Sequence, residues 1–137
     1  MTYVEKCLYE YKSNIAVLEY LQEEKNNLMS IHGHSYDIEN KSSMSNPVLT
    51  TVNQSMELEK KIACLKRKIV PVRKLLDDLA VGKSLRVQQM REILISKYVA
   101  HEDNQHVQEK MCVSVSTYWR RVREFLRLAR KYFGKIE

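Results

Sequence analysis

The sequence predicts an all-α protein: a long antiparallel helical hairpin of coiled-coil character, followed by a C-terminal domain of shorter helices. Only three of its 137 residues are Gly and two are Pro, a composition that disfavours β-sandwiches and Gly-rich phosphate loops. Apolar residues recur at three- and four-residue steps along most of the chain, which is the period of one helix face. We therefore divide the chain into residues 1–70, the hairpin with a flexible loop at 30–50, and residues 71–137, the C-terminal domain.

The first helix is expected from Tyr3 to about Met29, because this stretch contains no Gly or Pro. Its apolar positions lie on one helix face. They are Val4, Leu8, Tyr11, Ile15, Leu18 and Leu21. Its outer positions carry Glu5, Glu10, Glu19, Glu23 and Glu24 with few cations, so this helix is acidic.

The stretch at residues 30–50 is rich in Ser, Asn, Gly and Pro, which predicts a flexible loop. His32 and His34 flank Gly33 within it, so a metal site has to be considered. No second pair of ligands follows at a spacing that would close a four-ligand site. We predict no metal and no cofactor.

The second helix is expected from about Thr51 to Leu79, with heptad-like apolar spacing and many Lys and Arg residues. Both long helices would measure roughly 40 Å, so they could lie side by side as a hairpin. Their apolar seams exceed what a small domain can cover, and we expect self-association. Pro71 predicts a kink or break near residue 70, because proline lacks the backbone donor that a helix interior needs.

The C-terminal domain is predicted to begin with a helix from Ser84, as N-cap, to about Val99. Asp103 or Asn104 can cap a further short helix, and Ser114 can cap the helix after it. Val113 and Tyr118 occupy the two positions of a hydrophobic staple at that restart. A short helix, a marked restart and a second amphipathic helix are typical of a helix-turn-helix.

The face of the last helix opposite Tyr118, Val122 and Phe125 is basic, aromatic and rich in hydroxyl groups, which suits the major groove of double-stranded DNA. The residues that we assign to DNA binding are Ser114, Val115, Ser116, Thr117, Trp119, Arg120, Arg121, Arg123 and Arg127. Residues 104–137 hold eight Lys or Arg against three Asp or Glu. A plain solvated amphipathic helix is the alternative, and Trp119 could pack in the core instead of reaching DNA. The lysines of the second long helix could pair with the acidic first helix or contact the DNA backbone.

Other features restrict the compartment and the class of function. The three Cys residues are widely spaced and odd in number, which favours a reducing cytoplasm over a disulfide framework. No signal-peptide pattern and no run of about 18 apolar residues occurs, so we expect a protein without a membrane partner. No nucleophile, phosphate-loop or zinc-protease motif is found, and we predict that the protein is not an enzyme.

The chain resembles the RinA-type phage transcriptional activators, whose C-terminal part is similar to region 4 of sigma factors. The resemblance rests on the layout of the helices, on I-L-I-S-K-Y-V at residues 93–99 and on V-S-V-S-T-Y-W-R-R at residues 113–121. It implies promoter binding, activation of phage late genes and a location in the bacterial host cytoplasm. Gln108 and Cys112 stand where such motifs usually have Ala and Gly, from which we expect a longer or looser turn.

A sequence-specific transcription regulator is therefore the leading hypothesis, with RNA polymerase as a further partner to consider. A small terminase-type DNA packaging subunit would combine similar elements in a ring. A coiled-coil adaptor that binds RNA polymerase or another protein would use its basic helix only as a surface. Fragments of DNA selected by the protein would discriminate among the three.

Overall fold

A computed structural model of the chain describes its backbone over residues 1–34 and 47–134, and its side chains over residues 1–28 and 52–134. Within these ranges the protein is all-α, as predicted, and contains no strand. The helices are α1 (Tyr3–Tyr9), α2 (Tyr11–His34), α3 (Pro47–Ala80), α4 (Leu85–Glu92), α5 (Asn104–Met111) and α6 (Val115–Phe133). A π-helical segment, Ile93–Val99, continues α4. Among the described residues, no helix has the length and apolar character needed to cross a membrane.

The chain forms two compact units. The smaller unit is residues 15–66, and the core unit is residues 1–14 together with 67–137. In the smaller unit, Lys25 of α2 forms an ion pair with Glu59 of α3 at 2.9 Å. In the core unit, α1 packs against the π-helical segment and α6. The prediction, which treated residues 1–70 as one N-terminal element, did not anticipate that residues 1–14 belong with the C-terminal helices.

The predicted first helix is interrupted at Glu10, which lies between the end of α1 at Tyr9 and the start of α2 at Tyr11. Thr2 caps α1, since its hydroxyl accepts a hydrogen bond from the Glu5 amide. The Tyr9 carbonyl oxygen, at the end of α1, lies 2.6 Å from Nε2 of His101 and accepts its hydrogen bond. A hydrogen bond from a distant residue, His101, therefore contacts the backbone where the helix is interrupted. Local sequence does not predict this contact.

The long helices extend further than predicted. The α2 helix continues to His34 and α3 begins at Pro47, so both ends of the predicted loop at 30–50 are helical. Proline suits the first position of a helix, where no backbone donor is needed. The middle of that loop, residues 35–46, and the side chains of His32 and His34 lie outside the described residues.

A kink or break was predicted near residue 70, and the break is not observed, because α3 runs through Pro71 without interruption to Ala80. An interior proline costs a helix about 3 kcal/mol. The neighbouring Ile69, Val72 and Leu75 are at most 1% exposed, and burial stabilises each such side chain by about 1.5 to 3 kcal/mol. Packing in the core unit therefore outweighs the local preference of Pro71.

The predicted helix from Ser84 to Val99 has the expected extent, but its last two turns are π-helical. Ser84 caps α4 as predicted, accepting a hydrogen bond of 3.2 Å from the Val87 amide. Three consecutive residues of the π-helical segment are buried: Ser96, Lys97 and Tyr98. The wider turn thus carries a lysine into the core unit, directly beneath α6.

Candidate nucleic-acid interface

The connection between α5 and α6 is short and tightly held. It consists of Cys112, Val113 and Ser114, and Cys112 adopts the left-handed conformation with φ 57° and ψ 43°. The expected longer or looser turn is therefore not observed. Gln108 explains part of this, because its side-chain amide donates a hydrogen bond to the Val113 carbonyl across the turn. Gln108, which stands where such motifs usually have Ala, thus stabilises the connection.

The start of α6 is capped as predicted. The Ser114 hydroxyl accepts a hydrogen bond from the Thr117 amide at 3.2 Å and lies 2.9 Å from the Thr117 hydroxyl. The Ser116 hydroxyl is 3.3 Å from that of Ser114. These three hydroxyl groups form one cluster at the positive end of the helix dipole, where an anion such as a phosphate is favoured.

The buried face of α6 fixes how the helix is rotated. Its buried residues are Tyr118, Val122, Phe125, Ala129 and Phe133. The Tyr118 hydroxyl donates a hydrogen bond of 2.7 Å to Oδ1 of Asn104, at the first position of α5. Burial raises the pKa of Tyr118 to about 12, so this phenol remains a donor at neutral pH. The hydrogen bond ties the starts of α5 and α6 to each other.

Several exposed arginines lie on the opposite face of α6, and we call the three that the sequence assigned to DNA binding the arginine row: Arg120, Arg123 and Arg127. All three are exposed, at helical spacings of three and four. No hydrogen bond or ion pair joins them to any side chain that the structure describes. Their guanidinium groups are therefore available to an external anion or base.

Arg121, which the sequence assigned to the same surface, has a different environment. Its Nε donates to Oε1 of Gln89 at 2.8 Å, and its guanidinium pairs with Glu124 at 3.0 Å. Glu124 also accepts from Arg86 at 2.9 Å. Burial acts to raise the pKa of Glu124, but the Arg86 and Arg121 guanidinium groups outweigh this and hold it below its ordinary value. Arg121 thus connects α6 to α4.

Trp119 lies at the boundary between the surface and the core, so neither of the two placements considered from the sequence describes it fully. Its side chain is 40% exposed and meets the Tyr118 ring edge-on, with 5.2 Å between ring centroids. From the interior, Nζ of Lys97 approaches the indole ring to 5.8 Å, a cation–π geometry. Val115, one turn earlier, is 60% exposed. The two side chains form an apolar edge beside the arginine row.

Lys97 is a residue whose role the sequence did not reveal. It is 8% exposed, and its Nζ donates to the Tyr9 hydroxyl at 3.1 Å. The ring of Tyr98 lies 5.0 Å from the same nitrogen. Three aromatic residues from three elements therefore surround it. The only signal in the sequence was its place within a mainly apolar run at residues 93–99.

The short helix α5 is held by charges at its C-terminal half. Nζ of Lys110 lies 3.3 Å from Glu92, 3.4 Å from Glu102 and 3.3 Å from Oγ of Ser96. Glu102 also pairs with His106 when that ring is protonated. The first residue of α5, Asn104, is held instead by the Tyr118 hydroxyl at the start of α6.

Over the side chains that the structure describes, no group of three or more His, Cys, Asp or Glu residues could hold a metal ion. No family model, curated protein or solved structure matches the chain.

Proposed function

We propose that the protein is a sequence-specific DNA-binding transcription regulator in which α5 and α6 act as a helix-turn-helix. The observation that carries the proposal is the arginine row, three exposed guanidinium groups on one face of a capped helix that have no partner among the side chains the structure describes. Near the start of that helix, the outer positions supply hydroxyl and apolar groups. Such a face matches the acceptors, donors and methyl groups of the major groove.

The spacing of the arginine row suits the dimensions of DNA. Seven residues separate Arg120 from Arg127, which corresponds to about 10 Å along a helix, and the major groove is about 12 Å wide. A helix inserted by its N-terminal end places Arg120 and Arg123 near base edges and Arg127 near the backbone. In this arrangement Arg120 reads a base, whereas Arg127 contributes mainly to the salt dependence of binding.

The hydroxyl cluster at the start of α6 supports the same docking. The group of Ser114, Ser116 and Thr117 lies where the helix dipole favours an anion, and a DNA phosphate at this end would fix the register of the helix in the groove. Arg121 is left out of this surface, because its contacts with Gln89 and Glu124 are internal.

We further propose that the long helices form a coiled-coil-like hairpin that mediates self-association. Support comes from exposed apolar side chains in the smaller unit, which are Val17, Tyr20, Val52 and Met56. Sedimentation of the full chain tests this, with Tyr20→Glu and Met56→Glu expected to shift the oligomer toward a monomer. A parent protein that stays monomeric at high concentration contradicts it. By its resemblance to RinA-type activators, the protein would act on phage late promoters in the host cytoplasm, together with RNA polymerase.

The test of the main proposal is selection of bound fragments from the DNA of the genome that encodes the protein, followed by sequencing. Enrichment of a promoter region is the expected result. Enrichment of a packaging site would instead favour the terminase-type subunit, and no enrichment, with no affinity for DNA at low salt, would favour the protein-binding adaptor.

A pair of matched double variants gives the same test at the level of residues. Replacing Arg120 and Arg123 with Ala should abolish preference at the base pairs that these two residues contact and leave folding intact, because both side chains are exposed. The control replaces Lys60 and Lys66, two exposed cations of α3, and removes the same charge. Specificity that is unchanged in the arginine variant, or lost equally in both, contradicts the assignment of α6 as the reading helix.

A further inference from the structure

A groove lies beside the arginine row, between the first turns of α5 and α6. Its volume is about 340 Å³, and it is lined by Asn104, Gln105, Gln108, Val115, Tyr118 and Trp119. None of the arginines contributes to it. Its chemistry therefore differs from that of the row, since it offers amide groups on one side and apolar surface on the other.

All three of its amide side chains form a hydrogen bond within the protein, but they differ in which atoms are used. Asn104 accepts from Tyr118, and Gln108 donates to the Val113 carbonyl. The third, Gln105, is exposed, and its Nε2 donates to Glu109 at 3.2 Å. Its Oε1 receives no hydrogen bond from any group that the structure describes. Gln105 thus presents a free acceptor at the mouth of the groove.

The opposite wall is apolar and held in place. Val115 and Trp119 lie one helical turn apart on α6, and both are substantially exposed. The indole of Trp119 is fixed between the edge contact with Tyr118 and the nitrogen of Lys97. An apolar wall that is ordered before binding loses little side-chain entropy when a ligand arrives.

In the major groove, an A·T pair presents the adenine amino donor, the thymine O4 acceptor and the thymine methyl group. We infer that the groove reads an A·T base pair, an assignment that rests on the DNA-binding function proposed above. Val115 and Trp119 contact the thymine methyl group, and Oε1 of Gln105 accepts a hydrogen bond from the adenine amino group. Lys97 is then a positioning residue, because it acts on DNA only through Trp119.

Replacement of thymidine by deoxyuridine tests the inference, since it removes only the C5 methyl group. The probe is the preferred site obtained by selection, with each thymine replaced in turn, and binding is followed by the fluorescence of Trp119, the single tryptophan. At one position the parent protein should bind about fourfold more weakly, the loss expected for about one buried methyl group. Trp119 emission should change on binding.

Variants then identify the side chains that contact that methyl group. Val115→Ala should bind the thymine and uracil sites within about twofold of each other, whereas the control Leu85→Ala, a change of an exposed apolar residue of α4, should keep the fourfold penalty. Gln105→Ala should lose preference for adenine at the same pair. Lys97→Met should reduce the methyl penalty while preserving the preference that depends on Arg120.

Several results would overturn the inference. One is a site in which every thymine tolerates replacement, and another is a penalty that is as large in Val115→Ala as in the parent. If preference dependent on Arg120 persists in these cases, the proposed function stands and only the groove assignment fails. A parent protein that binds no DNA overturns both.

Discussion

Arg121 should stabilise the fold, whereas its neighbours Arg120 and Arg123 should contribute to DNA binding, although all three lie close together in sequence. Replacing Arg121 with Ala removes the hydrogen bond to Gln89 at 2.8 Å and the pairing with Glu124 at 3.0 Å. The side chains of Arg121 and Glu124 are only 21% and 19% exposed. Loss of these contacts should therefore lower the free energy of unfolding, whereas loss of an exposed arginine should not.

The magnitude follows from the environment of each contact. The hydrogen bond from a charged donor to Gln89 contributes about 1 kcal/mol net. The pairing with Glu124 contributes less, about 0.5 kcal/mol after solvent screening, because Arg86 remains beside that carboxylate. Arg121→Ala should thus lower the free energy of unfolding by about 1.5 kcal/mol, which moves the urea midpoint down by roughly 0.5 to 1 M.

Urea denaturation followed by Trp119 fluorescence measures this, because the only tryptophan lies in the core unit. Arg123→Ala is the matched control and should leave the midpoint unchanged while weakening DNA binding. Folded Arg121→Ala should bind DNA within about twofold of the parent. An unchanged midpoint together with a large loss of DNA affinity would show that Arg121 belongs to the interface and that its internal contacts are dispensable.

Three further predictions concern the connections and charges that hold the core unit. A Cβ at Gly82 would lie 2.2 Å from Cγ1 and 2.9 Å from Cβ of Val87, so Gly82→Ala should destabilise the protein by about 1 to 3 kcal/mol, and Val87→Ala in the same chain, which removes the nearer contact, should relieve part of this; additive losses would contradict the steric cause. Cys112→Val should lower stability by about 1 to 2 kcal/mol relative to Cys112→Gly, because a β-branched residue is strained at φ 57°, and equal urea midpoints would argue against it. Since the pKa of Glu124 is depressed, its contribution to stability is present at neutral pH and is lost as the pH falls through the folded-state pKa, so Glu124→Gln should be less stable than the parent at pH 7, with a difference that shrinks as the pH falls through that pKa; a gap that is independent of pH would refute this.

The local features of the chain were available from sequence. Helical periodicity and the Ser84 and Ser114 caps depend on residues within one or two turns of each other. For that reason the all-α class and the start of α6 were predicted from sequence. The exposure of Arg120, Arg123 and Arg127 follows from the same periodicity once Tyr118, Val122 and Phe125 are placed in the core.

Only the tertiary structure decided which polar side chains already form hydrogen bonds or ion pairs within the protein. Arg121 is bound by Gln89, 32 positions away, and Lys97 by Tyr9, 88 positions away. The interruption at Glu10 and the continuity of α3 through Pro71 likewise accompany packing in the core unit rather than local preference. Such contacts depend on which elements meet in space, and a single sequence carries no local signal for that. The face of α6 was therefore predictable from its own residues, whereas the groove beside it exists only because α5 is fixed against the start of that helix.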